Sequence, residues 1–308
     1  MELALITAQQ VFALLLMIAV GAIACKAGVF KPAEKSVLAN LLLYVVVPAM
    51  VLDSYMVEFD PATFHNLLLA FGLGTVALLV GVAAAWVLTR RVDKQNRDIL
   101  WFACAFSNAG YMGFPLIRAL FGAEGLLYAS AFVTVFNILI WTIGYVVLSG
   151  RADPRAIVRS VVTCPCIIAV ALGLVLYLGR VPLPEVITGP VGAIGDMNTP
   201  LSMIITGATI AASNVKKLLH NRKIFFAWGT RMLLIPAVEL ALFALLGVHG
   251  TVATIVLLLE ACPCAAITTM FAIQFHHDEE LAAGSVVLST LSSIVTLPLY
   301  ALLLTAVL

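Results

Sequence analysis

Long apolar segments recur along the whole chain and are separated by short polar stretches. A helix that crosses a bilayer needs about 20 mostly apolar residues, and ten segments meet that requirement. They cover residues 5–25, 36–55, 64–89, 98–120, 125–149, 157–179, 188–213, 223–247, 251–274 and 280–307. The pattern therefore predicts an all-α polytopic membrane protein with ten transmembrane helices and no soluble domain between them.

The fourth segment contains residues that break a helix at membrane depth. Ser107 and Asn108 introduce polarity, Gly110 and Gly113 loosen the backbone, and Pro115 removes a backbone donor. Freed backbone groups in hydrocarbon need protein cover or a water-filled cavity. Helix ends at such a break bind solutes in many transporters. A proline kink that only improves packing is the alternative, and we favour a binding site.

The chain looks duplicated about its middle. Pro48 in the second segment has a counterpart in Pro200 of the seventh, and the interruption of the fourth segment is matched at Pro263 in the ninth. Residues 1–150 and 151–308 would each hold five helices, which forces the two halves into opposite orientations. The pattern predicts a 5+5 inverted repeat.

Basic residues favour one membrane face. They lie in the odd-numbered loops, at Lys26, Lys31, Lys35, Arg90, Arg91, Lys94, Arg97, Arg151, Arg155, Arg159, Lys216, Lys217, Arg222 and Lys223. Because basic loops stay in the cytoplasm, we expect a multi-pass protein of the cell membrane with both termini outside. The ninth loop reads HHDEE at 276–280 and breaks the trend. Its alternative interpretation as a metal ligand set is less favoured than the start of the tenth helix.

Composition agrees with a membrane location and excludes several other classes. The chain is 63% hydrophobic and 11% charged, whereas soluble domains carry about 25% charged residues. A net charge of +1 gives no indication of a nucleic-acid partner, so the lipid bilayer is the expected surrounding. No Walker loop or convergent Cys–His pattern is present, and we do not expect an enzyme.

Several stretches resemble the auxin efflux carrier family, including its bacterial malonate-transporter-like members. They read NAGYMGFPL in the fourth segment, PCIIAVALGLVL in the sixth, ACPCAA in the ninth and DEELAAGSVVLSTLSSIVTLPLYALL in the tenth. The resemblance covers essentially the whole chain. It implies two inverted repeats of five helices, whose fourth and ninth helices cross mid-membrane at their breaks.

The resemblance also implies a mechanism. Helices 1, 2, 6 and 7 would form a scaffold, and helices 3–5 and 8–10 a transport domain that moves like an elevator. Members carry organic anions and often pair as homodimers. This chain departs from the family at Cys164-Pro165-Cys166, where an Asn-Pro pair is usual, and at Glu260 and Cys262, where small apolar residues are commoner. The second departure leaves the coupling ion open.

Glu260 is an ionisable group at membrane depth, and such groups are usually functional. It is a candidate for carrying a proton or binding Na⁺, and no other cofactor or resident metal is expected. The crossover also resembles that of the sodium/bile-acid symporter superfamily. This likeness implies a sodium site built from Glu260, Ser107, Asn108, Ser130 and Thr134. The alternative is a structural pairing of Glu260 with Arg231.

Asn108 can both donate and accept hydrogen bonds, which suits a carboxylate substrate. The predicted substrate site comprises Asn108, Gly110, Tyr111, Pro115, Asn137 and Pro263. The alternatives are that Asn108 caps a half-helix and that Asn137 only bridges helices. Arg118 could attract anions but is expected to snorkel. Arg231 and Glu239, about 80° apart on the eighth helix, are expected to pair with neighbouring helices.

The expected function is secondary active transport of small organic anions, such as malonate, malate or auxin-like acids, coupled to sodium or protons. Two alternatives stay open. The Cys-Pro-Cys sequences at 164–166 and 262–264 could carry a soft metal such as Cu(I), although free cysteine is often a small buried hydrophobe. A receptor that binds the ligand without moving it is the other alternative.

Overall fold

The computed structural model describes residues 2–31, 34–213, 218 and 220–307. Lys216 and Lys217, counted above among the basic loop residues, lie outside the described residues. The helices are α1 (Glu2–Lys26), α2 (35–54), α3 (Pro61–Thr89), α4 (Lys94–Ala105), α5 (Ala109–Ser149), α6 (Pro154–Val162), α7 (Pro165–Gly179), α8 (Glu185–Asp196), α9 (Asn198–Ala212), α10 (Arg222–Leu245), α11 (Thr251–Glu260), α12 (Ile267–Gln274) and α13 (Glu279–Val307).

Within the described ranges, several helices have the length and apolar character of membrane spans. Six are long and apolar enough to cross a bilayer, and the pair α6–α7, bent by 52°, would make a seventh span. α11 is a shorter apolar helix, and the outer face of α1 exposes Leu5, Phe12, Leu16, Val20 and Ile23. Side chains of this kind on an outer surface suit contact with lipid. The structure is therefore that of an all-helical polytopic membrane protein.

Gly122 divides the long helix α5. Its φ of 65° and ψ of −153° fall in a region that is essentially restricted to glycine. The two arms of α5, residues 109–121 and 123–149, therefore meet near the boundary that the sequence predicts between its fourth and fifth segments. This division is how one continuous apolar stretch supplies two separate segments.

One end of the helical bundle brings together loops that are far apart in sequence. Lys223 Nζ lies 2.9 Å from the carboxylate of Asp93, and His277 Nε2 lies 2.8 Å from the carbonyl oxygen of Leu148. Asp278 Oδ1 accepts a hydrogen bond from Leu281 N at 2.9 Å. This bond is a helix cap, which confirms the interpretation of the HHDEE run as the start of a helix.

The opposite end is marked by the start of α3 and the end of α7. Tyr177 donates a hydrogen bond of 3.4 Å to the carbonyl oxygen of Asp60. The guanidinium of Arg180 lies 4.4 Å from the ring centre of Phe59. Asp60 and Asp93 flank the two ends of α3. The contacts of Tyr177 and Arg180 therefore lie at one end of the bundle, and the contact of Asp93 lies at the other.

α1 and α9 approach each other unusually closely. A Cβ atom at Gly207 would lie 2.1 Å from the carbonyl oxygen of Ile18, and one at Gly21 would lie 2.5 Å from that of Ile204. Only glycine fits at either position, and small residues of this kind are what let helices pack tightly in membranes. The pair therefore forms a rigid contact beside the site described next.

Candidate functional site

Two interruptions meet inside the bundle, one between α4 and α5 and the other between α11 and α12. They pair as a short antiparallel bridge between Ser107 and Cys264, both of which are buried. The amide of Cys264 also donates a hydrogen bond of 3.0 Å to Ser289 Oγ of α13. The broken fourth and ninth segments of the sequence therefore contact each other at their breaks.

Each break supplies hydrogen-bond partners for the other. The amide of Asn108 donates to the carbonyl oxygen of Pro263 at 2.7 Å, and the amide of Ala265 donates to that of Phe106 at 2.9 Å. Buried backbone groups need such partners, and hydrocarbon offers none. The contact of residues 106–108 with residues 263–265, called the crossing below, is thus stabilised by backbone pairing.

Arg231 of α10 lies at the carbonyl ends of two half-helices. Its side chain is fully buried, and Nη1 donates to the carbonyl oxygens of Cys104 and Ala105, each at 3.2 Å. Nη2 donates to the carbonyl oxygen of Glu260 and forms an ion pair with the carboxylate of the same residue. The last carbonyls of a helix lack internal partners and carry partial negative charge. Arg231 satisfies this requirement for α4 and α11 together.

The amino ends of α5 and α12 line a cavity on the other side of the crossing. Its volume is about 50 Å³, and its walls include Asn108, Gly110, Tyr111, Asn137 and residues 265–267. The first amides of a helix have no acceptor within it, and the dipole adds positive potential there. Two such ends at one cavity favour an anion.

Both asparagines predicted for the substrate site reach this cavity. Asn108 is 4% exposed and Asn137 is 9% exposed. Asn137 Nδ2 donates to the carbonyl oxygen of Val133 at 2.8 Å and lies 3.5 Å from Cys166 Sγ, so its oxygen is its more available atom. The structure therefore brings together Asn108, Gly110, Tyr111 and Asn137, whereas Pro115 and Pro263 act through the backbone.

Pro115 frees backbone carbonyls of α5 that α9 then binds. Because Pro115 has no N–H, it cannot bond to a carbonyl one turn earlier, and the segment Ala109–Gly113 forms a π-helical turn. Ser202 Oγ of α9 donates to the carbonyl oxygen of Tyr111 at 3.2 Å, and Asn198 Nδ2 donates to that of Gly110 at 3.3 Å. The break itself lies at 106–108, before the glycines, because those residues pair with the other interruption.

A second cavity of about 80 Å³ adjoins the first. Its walls include Tyr111 and Ala266, which also line the first cavity, together with Thr206 of α9 and Thr269 of α12. Residues of α2 line both cavities, residues of α9 line the second, and Tyr111 contributes to the walls of both.

The residues predicted to bind sodium make different contacts in the structure. Ser107 lies at the crossing, and its buried Oγ has no hydrogen-bond partner in the described part of the chain. Ser130 and Thr134 donate to the carbonyl oxygens of Leu127 and Ser130, at 2.6 and 2.7 Å. Glu260 is engaged by Arg231, the pairing considered above as its alternative role.

Arg118 and the cysteines are not among the described residues that line the two cavities. Arg118 forms an ion pair with Asp196 of α8. All six cysteines are free and buried, and the described ranges contain no group of three or more His, Cys, Asp or Glu side chains that could hold a metal ion. The two Cys-Pro-Cys sequences lie at the α6–α7 bend and at the crossing, so they occupy different parts of the fold.

Sequence reasoning missed the residues that support the crossing. Asn198, Ser202 and Ser289 bond to its backbone, and Arg231 had been considered only as a partner for a carboxylate. A signal existed for Ser289, because it belongs to a polar stripe along the tenth apolar segment at helical spacing. Nothing local marks Asn198 or Ser202, since their partners are about 90 residues away in sequence.

Comparison with known proteins identifies relatives along the whole chain. A family model described as "Membrane transport protein" matches residues 6–164 and 154–301. An uncharacterized transporter of Methanothermobacter thermautotrophicus is 26% identical over 301 residues, covering 96% of this chain and 98% of the relative. The uncharacterized transporter MJ1031 of Methanocaldococcus jannaschii is 21% identical, with the same coverage of both chains.

Proposed function

The chain belongs to the membrane transport protein family, and on that premise we propose that it is a secondary active transporter of small organic anions. The observation that carries this proposal is the cavity at which the amino ends of α5 and α12 meet. Two helix amino ends and the side-chain amide of Asn108 provide hydrogen-bond donors for a carboxylate, and the oxygen of Asn137 adds an acceptor for a hydroxyl or protonated group of the substrate. No fixed cationic side chain is required for such binding.

The size of the cavity favours a small substrate. A volume of about 50 Å³ suits one carboxylate group and little else. The neighbouring cavity, of about 80 Å³, would take the rest of the substrate once Tyr111 moves. Acids with one or two carboxylates on a short carbon chain, such as malonate and malate, fit this arrangement better than larger anions. Auxin-like acids would need the second cavity for their ring.

For the movement, we propose the elevator arrangement that the resemblance implies. The ten helices would form a 5+5 inverted repeat, with α1, α2 and α6–α9 as the scaffold and α3–α5 with α10–α13 as the moving domain. The close glycine contact between α1 and α9 supports a rigid scaffold. Both cavities lie between scaffold helices and the crossing, which is where a transport site has to exchange between the two sides. A homodimer in the cell membrane remains part of the proposal.

Transport of an anion against its gradient requires coupling to another gradient, and we propose sodium or the proton as the coupling ion. Glu260 was the candidate for either, with Ser107 and Asn108 nearby at the crossing. Its ion pair with Arg231 means that a sodium ion would have to replace the guanidinium there. The same guanidinium keeps Glu260 ionised, so the pair favours neither cation at this residue.

The proposal is tested by flux into proteoliposomes that contain the purified protein. Labelled malonate, malate, monocarboxylates and indole acids are offered with and without sodium and a pH gradient. We expect saturable uptake of at least one of these anions and a rise in thermal stability with the same anion. A variant with exposed Asn40 replaced by alanine should behave like the wild type. A thermal shift without any flux would instead indicate a receptor.

A further inference from the structure

Glu239 of α10 carries a carboxyl group that is buried in the bundle. Its side chain is fully buried, and neither Oε1 nor Oε2 has a partner within the described ranges. It lies eight residues after Arg231 on the same helix. The sequence predicts that Glu239 pairs with a neighbouring helix, whereas its carboxyl oxygens have no hydrogen-bond partner among the described residues. Such a group calls for an explanation.

The carboxyl group of Glu239 faces the crossing. Arg231 and Glu260 both act on it electrostatically. On the side of α3, a Cβ atom at Gly81 would lie 3.5 Å from Glu239 Oε1 and 3.6 Å from the carbonyl oxygen of Ala105. This carbonyl is one of the two at the end of α4 that Arg231 binds. The three side chains and the end of α4 thus form one buried cluster.

Other titratable groups near the cluster do not balance its charge. They are Cys104, Cys262, Cys264 and Tyr300. Thiols and phenols are ordinarily neutral at pH 7, and the Tyr300 hydroxyl already donates to the carbonyl oxygen of Leu233 at 2.8 Å. The charge of the cluster is therefore decided by Arg231, Glu239 and Glu260.

Two ionised carboxylates and one guanidinium would leave a net charge of −1 in the interior of the bundle. The carbonyl ends of α4 and α11 add negative potential at the same place. A buried uncompensated charge is strongly unfavourable. We propose that Glu239 is a proton-binding site, and that it holds a proton while Glu260 stays paired with Arg231.

A proton suits this position better than a metal cation. The guanidinium of Arg231 already contributes a full positive charge to the cluster, and its buried Nε has no acceptor among the described residues. A second full cation beside it would be repelled, whereas a proton on Glu239 neutralises one carboxylate without adding a separate charge. The positive charge of Arg231 therefore favours binding of a proton over binding of a metal cation at Glu239.

Release of this proton would change the contacts of Arg231. The O–H bond of Glu239 breaks, the electron pair stays on the carboxylate, and the proton leaves to water on one side of the membrane. Arg231, with its free Nε donor, would then be shared between two carboxylates and bind the carbonyls of Cys104 and Ala105 less strongly. Since only the break at 106–108 separates α4 from the cavity-lining part of α5, proton release and substrate binding would be linked. This coupling rests on the proposed function, but the proton site does not.

Infrared spectroscopy of the purified protein tests the site directly. A protonated buried carboxyl group gives a carbonyl stretching band that is absent from carboxylates. We expect this band in the wild type at neutral pH and its loss in Glu239→Gln. Glu260→Gln should lose it too, because one carboxylate then suffices to balance Arg231 and Glu239 ionises. The matched control Glu185→Gln, at an exposed position at the start of α8, should keep the band.

The same measurements define failure. If the wild type lacks the band at neutral pH, or if Glu239→Gln leaves it unchanged, Glu239 holds no proton and the inference is overturned. A band that appears only after sodium is exchanged for choline would assign the site to sodium and also overturn it. In flux assays, Glu239→Gln should lose dependence on a pH gradient while substrate binding persists. If no anion is transported by the wild type but the band behaves as expected, the proposed function fails and the proton site stands.

Discussion

The amide of Asn108 donates a hydrogen bond of 2.7 Å to the carbonyl oxygen of Pro263. This bond joins two interruptions that lie in different halves of the chain. Because the backbone of Asn108 supports the crossing, its side chain is left to line the cavity. Architecture and ligand binding are therefore separable at this residue, and substitution of the side chain alone can distinguish them.

The first prediction concerns this side chain. Asn108→Ala should weaken binding of the substrate anion by about 1–3 kcal/mol, the cost of leaving a polar partner unsatisfied, which is roughly a fivefold to 150-fold rise in Kd. Titration of the purified protein with the anion that passes the flux assay measures the change. Expression and thermal stability without ligand should stay near those of the wild type. Unchanged affinity would mean that the cavity is not the substrate site.

The second prediction concerns Pro115 and Ser202, which act through the carbonyl of Tyr111. Ser202→Ala should lower the free energy of unfolding by about 0.5–1.5 kcal/mol, because a buried carbonyl loses its donor. Pro115→Ala restores an N–H that can bond to the same carbonyl, so Ser202→Ala should cost less in that background. Thermal denaturation of the four proteins in this double-mutant cycle measures the coupling.

Thr206→Val is the matched control for the cycle. Thr206 lies one turn later on α9, and its hydroxyl bonds to the carbonyl of its own helix at 2.8 Å. The change in the free energy of unfolding caused by Thr206→Val should be the same with Pro115 and with Pro115→Ala. Equal costs of Ser202→Ala with and without Pro115 would show that the two residues are independent, and the account of the π-helical turn would be wrong.

The third prediction concerns Arg231, the cation at the ends of α4 and α11. Arg231→Met should destabilise the protein by about 3–5 kcal/mol, because it leaves buried charge and carbonyls without a partner. Adding Glu260→Met removes the uncompensated carboxylate and should recover part of this loss. Recovery should be incomplete, since the carbonyls of Cys104 and Ala105 remain unsatisfied. Unfolding in lipid nanodiscs gives the comparison, and a stable Arg231→Met single variant would contradict the capping role.

The sequence predicts some parts of this arrangement, such as the helices, better than others, such as the position of the break. The apolar segments predicted helices because each helix satisfies its own backbone, which is a local requirement in lipid. The interruption near Pro115 was visible for the same local reason. Its position at 106–108 was not, because that depends on pairing with Pro263 and Ala265, which lie in the other half of the chain.

Arg231 shows why the candidate site was only partly predictable. A charged residue in an apolar segment indicates a buried partner, and the pairing with Glu260 was one of two alternatives. Binding of Arg231 to three backbone carbonyls could not be inferred, because carbonyl groups carry no sequence signature. The hydroxyl hydrogens of Ser130 and Thr134 bond within their own helix, which leaves their oxygen lone pairs for the ion that the sequence predicts there.

The fourth prediction concerns the cysteines. Replacing Cys164, Cys166, Cys262 and Cys264 by alanine should leave anion transport largely intact. Cys264 supports the crossing through a hydrogen bond from its backbone amide to Ser289 Oγ, and alanine keeps that donor. Flux assays and metal analysis of the purified variant provide the measurement. Lost transport together with loss of stoichiometric bound copper would support the soft-metal alternative instead.

The last prediction concerns membrane orientation, and loop contacts support it. The ion pair of Lys223 with Asp93 joins the seventh loop to the third, and the contact of His277 with Leu148 joins the ninth loop to the end of the fifth segment. The acidic ninth loop thus lies at the same end as basic loops. Acidic residues contribute little to the positive-inside rule, so this end should be cytoplasmic and both termini should lie outside.

Single cysteines in a cysteine-free background test this orientation. Ala152→Cys and Val186→Cys both introduce an exposed thiol, but at opposite ends of the bundle. An impermeant thiol reagent added outside intact cells should modify Val186→Cys and a tag at either terminus, and should spare Ala152→Cys until the membrane is opened. Labelling of Ala152→Cys from outside would instead show that the protein has the opposite orientation in the membrane. An accessible N-terminal tag with a protected C-terminal one would require an odd number of crossings, which is incompatible with two five-helix halves.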